Sequence, residues 1–277
     1  MAGCVDSFAG GRRGGEWRGR RGRAGVIPVS ACVISFNEED RIERCLRSLA
    51  WCDEVLLLDS LSTDRTRDIA EGLGVRVETQ AFLGHSRQKR RAAELARHDW
   101  ILSLDSDEWL SEALSSELQA LLTALPEHAL AASMPRRNIY LGRAMRHGIF
   151  WPDRKLRLFD RRRAQWGGTD PHDRVEVFGE GTVEELQGEL MHDSYRSFAD
   201  HQRTVRGFAE IAAKAMLAEG RRARFIDPLG RSCFAFVKGA LLKLGLLDGW
   251  RGLLAAAMSA QYDWIKYREL RRLQRGA

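Results

Sequence analysis

Trp100-Ile101-Leu102-Ser103-Leu104-Asp105-Ser106-Asp107-Glu108 is the stretch from which the fold can be read. Its first five residues are mostly apolar, the pattern of a buried strand. Three carboxylates follow at the C-terminal end. In open α/β sheets, ligands bind just outside the carboxyl ends of strands. Asp105 and Asp107 sit two apart, so a backbone that stayed extended would aim both at one side. Two hard oxygen donors beside a phosphate suit Mg²⁺ or Mn²⁺. Taken alone, the triplet favours a solvated acidic turn ahead of a helix capped by Ser111.

The surroundings change that balance. Val29-Ser30-Ala31-Cys32-Val33-Ile34 is a second apolar strand, running into Ser35-Phe36-Asn37-Glu38-Glu39. Ile42, Cys45, Leu46 and Leu49 then recur at helical spacing. Val55-Leu56-Leu57-Leu58 is a third strand, ending in Asp59-Ser60-Leu61-Ser62-Thr63-Asp64-Arg65-Thr66. A short helix follows, with Ile69, Ala70 and Leu73 inward and Gly74 as its stop. Val75 to Glu78 is a fourth, shorter strand. Strands alternating with short helices predict βαβ units and a parallel sheet. Right-handed crossovers bring the three polar strand ends (Asn37 and Glu38, Asp59, Asp105 with Asp107) to one edge. That convergence is the physical case for a nucleotide site.

In this order and spacing, Ser35 to Glu39, Asp59 to Thr66, Gln88-Lys89 and Leu104 to Glu108 resemble glycosyltransferase family 2. The likeness is strongest to the branch of lipopolysaccharide core β-glycosyltransferases. Phe150 to Phe159, Pro171 to Glu176 and Leu190 to Tyr195 resemble further motifs of that branch. Any one block is a weak signal; the ordered set is a strong one. The resemblance implies an α/β fold of the GT-A type, Rossmann-like, with a mostly parallel sheet flanked by helices and a C-terminal helical appendage. It implies a nucleotide-sugar donor (a UDP-sugar by preference), a divalent cation, Mg²⁺ or Mn²⁺, and inversion at the anomeric carbon. The implied acceptor is a glycolipid such as a lipopolysaccharide core; a polyprenyl-phosphate or other glycan acceptor is the alternative.

Carried over position by position, the resemblance places Ser35, Asn37, Glu38, Asp59, Gln88, Lys89 and Asp105 at the nucleotide sugar. It places Asp105 and Asp107 at the metal, with His192 as a further candidate. Asp173 is the candidate base for the acceptor hydroxyl, with Asp153 as runner-up. Trp151, Asp153, Arg154, Arg157 and His172 fall on the acceptor side. Two departures stand out. Ser60 replaces the second Asp of many members, and Leu61 replaces their usual Gly. A leucine forced to positive φ is strained, so the loop is expected to shift.

The chain has 277 residues, is 44% hydrophobic and carries a formal charge of +6. Residues 1–25 are Arg/Gly-rich and are expected to be disordered. This tail supplies +4 of the charge through six Arg, one Asp and one Glu. Residues 26–196 are expected to form the catalytic domain: a nucleotide half over 26–110 and an acceptor half over 111–196. Residues 197–277 are expected to be helical. Five cysteines without zinc spacing suggest reduced thiols in the cytoplasm. Cys32 and Cys45 read as small core residues. The tail has no apolar core of a secretory signal.

Ser197 to Glu219 reads as one helix with Val205, Phe208, Ala212, Ala215 and Met216 on its buried face. After Pro228, apolar residues are interrupted by Lys and Arg well short of a membrane span. Such segments suit helices lying in a membrane interface, on the cytoplasmic face of the inner membrane, or helices packed on the catalytic domain. Arg161-Arg162-Arg163 reads as a solvated turn. Two rivals fit less well. A nucleotidyltransferase would show a Gly-rich loop after the first strand. An RNA-binding protein would need aromatic stacking motifs in the folded part, and no nucleic-acid partner is expected.

Overall fold

The computed structural model describes residues 25–169, 172–195 and 197–276. The predicted tail lies outside these residues apart from Gly25, as do Pro171 and the side chains of Thr169, His172 and Gly276. The elements in chain order begin β1 (Val29–Ser35), α1 (Ile42–Ser48), β2 (Glu54–Asp59), α2 (Thr66–Gly72), β3 (Arg76–Thr79), α3 (His85–Leu95) and β4 (Trp100–Asp105). There follow β5 (Glu108–Leu110), α4 (Glu112–Thr123), β6 (Ala129–Tyr140), β7 (Arg143–Ala144), β8 (Arg154–Asp160), β9 (Ala164–Thr169) and β10 (His172–Val177). The last are β11 (Thr182–Glu185), β12 (Leu190–Tyr195), α5 (Phe198–Ala218), α6 (Asp227–Val237) and α7 (Trp250–Gly276). They fall into two compact units, Met1–Ser133 with Leu156–Glu185, and Met134–Lys155 with Leu186–Ala277.

In the first unit the strands lie in the order β3-β2-β1-β4-β8. The first four are parallel and β8 runs antiparallel to β4. β1, β2 and β4 are buried almost from end to end, which is why they read as unbroken apolar runs. The register sets Ser35 beside Asp59 and Ile34 beside Asp105, so the three polar strand ends stand side by side as expected. Ile42, Cys45, Leu46 and Leu49 are all buried. Ser111 caps α4 by accepting the Leu114 N–H at 3.2 Å. Cys32, Cys45 and Cys52 are buried free thiols, and burial raises the pKa of each.

Two local expectations are corrected. β4 stops at Asp105, and Ser106-Asp107 form a turn rather than a continued strand. Leu61 does take the positive φ (65°) that strains a leucine. Arg161 is no solvated turn residue: its guanidinium donates to the Ala93 and Ala96 carbonyls at 3.0 and 2.8 Å, closing the C-terminal end of α3.

In the second unit, residues 136–140 of β6 pair in parallel with β12 and antiparallel with β7. Leu141 and Gly142, at φ 47° and 77°, turn the β6–β7 hairpin. Both values are those a type I′ turn needs at its central residues. α5 begins where expected, with Ser197 accepting the Asp200 N–H at 3.1 Å. Its buried face, however, is His201, Val205, Ala209, Ala213 and Met216, while Phe208 and Ala215 are exposed. A polar residue leads that face because Tyr140 pairs with it: the phenol oxygen lies 2.8 Å from His201 Nδ1. Tyr195 stacks on the same imidazole at 3.9 Å.

Burial pushes the His201 pKa down to about 4, only partly offset by Asp200. A depressed base costs stability as pH falls. The full contribution is present above pH 6.5, where both states are neutral, and is lost progressively down to about 4. The loss amounts to ~3 kcal/mol. Urea unfolding of wild type and His201→Gln across this range tests it. The variant should show the flatter acid limb; an identical limb would exclude the imidazole as the titrating group.

Candidate active site

Two loops at the ends of β1 and β2 are clasped to each other. Asp59 is fully buried and accepts from Ser35 Oγ at 2.9 Å and from the Ser62 N–H and Oγ at 2.7 and 2.5 Å. The Asn37 N–H donates to Ser62 Oγ at 2.9 Å, and the Thr63 N–H donates back to Asn37 Oδ1 at 2.8 Å. The Glu38 N–H reaches Thr66 Oγ1 at 2.8 Å. Ser35, Asn37, Glu38 and Asp59 are thus brought to one place. Gln88, expected at the nucleotide sugar, is fully buried beneath the loop, where its amide donates to Ser60 Oγ at 3.2 Å.

Beside the clasp lies a dense set of charges. Lys89 projects from α3, with 5% of its side chain exposed, and bridges two carboxylates. Its Nζ is 2.8 Å from Asp105 Oδ1 and 2.7 Å from Asp173 Oδ2. The Trp166 ring lies 4.5 Å from the same ammonium, anchored by an indole N–H donated to Ser103 Oγ at 3.1 Å. Among the described residues, Asp173 Oδ1 has no hydrogen-bond partner. Asp107 lies 3.3 Å from the Arg41 guanidinium.

Arg157, expected on the acceptor side, turns inward. Its guanidinium donates to both oxygens of the fully buried Glu108, at 3.0 and 2.7 Å, and to Asp105 at 3.1 Å. Burial opposes its charge, but Glu108 and Asp105 outweigh that and raise its pKa. Four carboxylates (Asp105, Asp107, Glu108, Asp173) therefore meet three cations (Lys89, Arg157, Arg41).

Asp105 and Asp107, 28% and 23% exposed, are hard oxygen donors of the kind Mg²⁺ and Mn²⁺ take, with the Asp105 oxygens held here by Lys89 and Arg157. Among the described residues no group of three His, Cys, Asp or Glu could hold a metal. A cation here would need further oxygens from a ligand, as Mg²⁺ and Mn²⁺ take from phosphates.

Apart from His172, the remaining candidates belong to the second unit, where one cleft is lined by Arg136, Asn138, Phe150, Asp153, His192 and Tyr195, among others. Asp153 is paired with Arg136 at 2.7 Å and Lys155 at 3.0 Å. Burial pushes its pKa up, but these two cations outweigh that and hold it below the usual carboxylate value. His192 Nδ1 donates to Asn138 Oδ1 at 2.7 Å, since the Asn138 amide nitrogen is committed to the Phe150 carbonyl at 3.1 Å. Trp151 lies under the Arg137 guanidinium at 4.2 Å, and Arg154 donates to the Leu186 carbonyl at 3.0 Å. The His172 side chain lies outside the described residues.

Sequence reasoning missed Arg41, Trp166 and the partnership of Glu108 with Arg157. Glu108 carried a signal, a third carboxylate directly after the Asp-x-Asp. Arg41 and Trp166 carried none.

An uncharacterized glycosyltransferase of Rickettsia bellii (strain RML369-C) is 29% identical over 255 residues, 88% of this chain and 86% of the relative. The lipopolysaccharide core biosynthesis glycosyltransferase LpsC of Rhizobium meliloti (strain 1021) is 28% identical over 257 residues, 86% and 90% of the two chains. Among solved structures, S. aureus TarS 1–349 in complex with UDP matches at TM-score 0.45 and 14% identity, covering 90% of this chain and 92% of that one. Glucosyl-3-phosphoglycerate synthase of Mycobacterium tuberculosis, in complex with Mn²⁺, UDP and phosphoglyceric acid, matches at TM-score 0.36 and 25% identity, covering 41% and 44%. The mostly parallel sheet flanked by helices that the sequence leads one to expect is the one found, with helices closing the chain. The model of the family described as Glycosyl transferase family 2 matches residues 30–179, more than half of the sequence, so the protein is a glycosyltransferase and the chain belongs to that family.

Proposed function

We propose that this glycosyltransferase moves a sugar from a nucleoside-diphosphate donor to the hydroxyl of a cell-envelope glycolipid, with inversion. The supporting observation is the Asp105–Lys89–Asp173 bridge. It ties the carboxylate at the end of β4 to a second carboxylate on β10 through one buried ammonium. The first faces the donor side and the second is the base. The acceptor hydroxyl gives its proton to Asp173 as its oxygen bonds to the anomeric carbon, while the bond from that carbon to the diphosphate oxygen breaks. Lys89 holds Asp173 through Oδ2, leaving Oδ1 for the hydroxyl.

Asp105 and Asp107 would hold a divalent cation. When bound, such a cation offsets the negative charge that develops on the leaving diphosphate. The clasped loops around Asp59 form the nucleotide side. The similarity to LpsC favours a lipopolysaccharide-core or related acceptor, worked on at the cytoplasmic face of a membrane. Among the described residues no helix is long and apolar enough to cross one.

Donor hydrolysis across a panel of nucleotide sugars, with Mn²⁺ or Mg²⁺ and with EDTA, tests the reading. Asp107→Asn should fold normally and lose turnover by about 10³-fold, in the range of removing an electrostatic stabiliser of the transition state. Full activity of this variant in EDTA would refute the metal role. No hydrolysis of any nucleotide sugar would refute the donor class.

A further inference from the structure

A concentration of positive charge lies in the helical part of the second unit. Arg231, Lys238, Lys243 and Lys266 line one open cleft of about 400 Å³, together with Phe234 and Tyr267. The acid in its lining, Asp263, is paired with Lys266 at 2.5 Å. Arg231 lies over the Tyr267 ring at 5.4 Å. The ammonium groups of Lys238 and Lys243 have neither an ion pair nor a hydrogen bond among the described residues. The cleft keeps a net charge of +3.

The backbone that brings these cations together is irregular. Lys238–Leu242 form a single π-helical turn after α6, and Leu244 is left-handed at φ 58°. Such turns cluster at functional sites. The corner is fixed by close glycine contacts: a Cβ on Gly245 would lie 2.5 Å from the Gly239 carbonyl, and one on Gly252 1.8 Å from the Gly245 carbonyl. Asp248 closes it, accepting the Arg146 and His147 N–H groups at 2.9 and 2.8 Å.

Around the cleft the same corner exposes Leu241, Leu242, Leu244, Leu246, Leu247 and Trp250, with Leu242 at 69% and Leu247 at 63%. Between residues 221 and 253 the acids are Asp227 and Asp248. The first accepts the Arg224 N–H at 2.6 Å, and the second is buried. Large apolar side chains left in water beside unpaired cations, with no exposed acid among them, match the interfacial layer of an anionic bilayer.

We propose that this corner seats an anionic lipid. Its headgroup phosphate is held in the cleft by Arg231, Lys238 and Lys243, with Leu242, Leu247 and Trp250 in the acyl boundary. The proposal rests on the reading that the enzyme works at a membrane surface, and gives that reading a specific contact.

Vesicle flotation of the full chain tests it, using phosphatidylcholine with and without phosphatidylglycerol at low salt. Wild type should partition onto the anionic vesicles. The double substitution Lys238→Gln/Lys243→Gln should lower the partition coefficient roughly 30-fold, at one charge-worth of attraction per lysine. Leu242→Ser/Leu247→Ser should lower it on both vesicle types. The Arg-rich N-terminal segment is present in every variant and cancels in these ratios.

Equal flotation of wild type and the lysine variant overturns the headgroup seat and leaves the membrane reading standing. Failure of wild type to float overturns both. Inorganic phosphate that binds wild type in calorimetry and releases it from vesicles at the same concentration would make the ligand a free anion, also overturning the lipid seat. Nucleotide-sugar hydrolysis without vesicles, measured on the same samples, reports on the transferase reading separately and should be equal in all of them.

Discussion

Asp173→Asn is expected to cut sugar transfer by ~10²–10⁴-fold while leaving UDP binding near its wild-type strength. The asymmetry follows from the geometry. Asp173 meets Lys89 through one oxygen, and the other has no partner among the described residues. An asparagine can still accept from Lys89, so the local fold persists, but its amide cannot take a proton from the acceptor. Pairing calorimetric UDP binding with a transfer assay checks this. Binding that falls in step with transfer would place Asp173 in the donor pocket. An unchanged transfer rate would make it a structural partner of Lys89. Asp153 is the weaker alternative as base because Arg136 and Lys155 both hold its carboxylate.

The largest stability effect is expected at Glu108. Its carboxylate is fully buried, accepts two bonds from Arg157, and takes the Asp105 N–H at 3.2 Å. Glu108→Leu strands a buried guanidinium and should cost about 3–5 kcal/mol. Glu108→Leu combined with Arg157→Met should cost clearly less than the sum of the singles, because neither buried charge is then left without its partner. Urea unfolding of the two single variants and the double variant gives the coupling directly. A Glu108→Leu cost below ~1 kcal/mol would mean that Asp105 alone neutralises Arg157.

The parts of the site that sequence displays are the ones built from contiguous residues. Val29 to Ile34, Val55 to Leu58 and Trp100 to Leu104 are buried on both faces, so each announces itself as an apolar run ending in polar residues. The parts it hides depend on partners far along the chain. Arg157 lies 49 positions from Glu108, and nothing local to either states that they share a buried pair. Arg161 looks like one of three surface arginines until the carbonyls at the end of α3 are seen in front of it. The buried face of α5 departs from its apolar periodicity for the same reason. Helical periodicity selects apolar residues, whereas the packed face starts at His201, which is buried because Tyr140 is there to meet its ring nitrogen. Residues 134–195 are the least legible, since β6 carries Arg136 and Arg137, whose partners Asp153 and Glu189 neutralise them only after folding.

The clasp between the β1 and β2 loops also bears on the thermodynamics of ligand capture. Its N–H groups at Asn37, Glu38 and Thr63 are already bonded to side-chain oxygens of the opposite loop, and that of Ser62 to Asp59 at the foot of its own. On the function proposed above, the nucleotide side of the site is therefore tied down by hydrogen bonds before any donor arrives. Ordering entropy that a floppy loop would lose at the moment of binding is lost here during folding. The heat-capacity change on donor binding should then track the apolar area buried by the nucleotide itself, with no added signature of a segment folding around it.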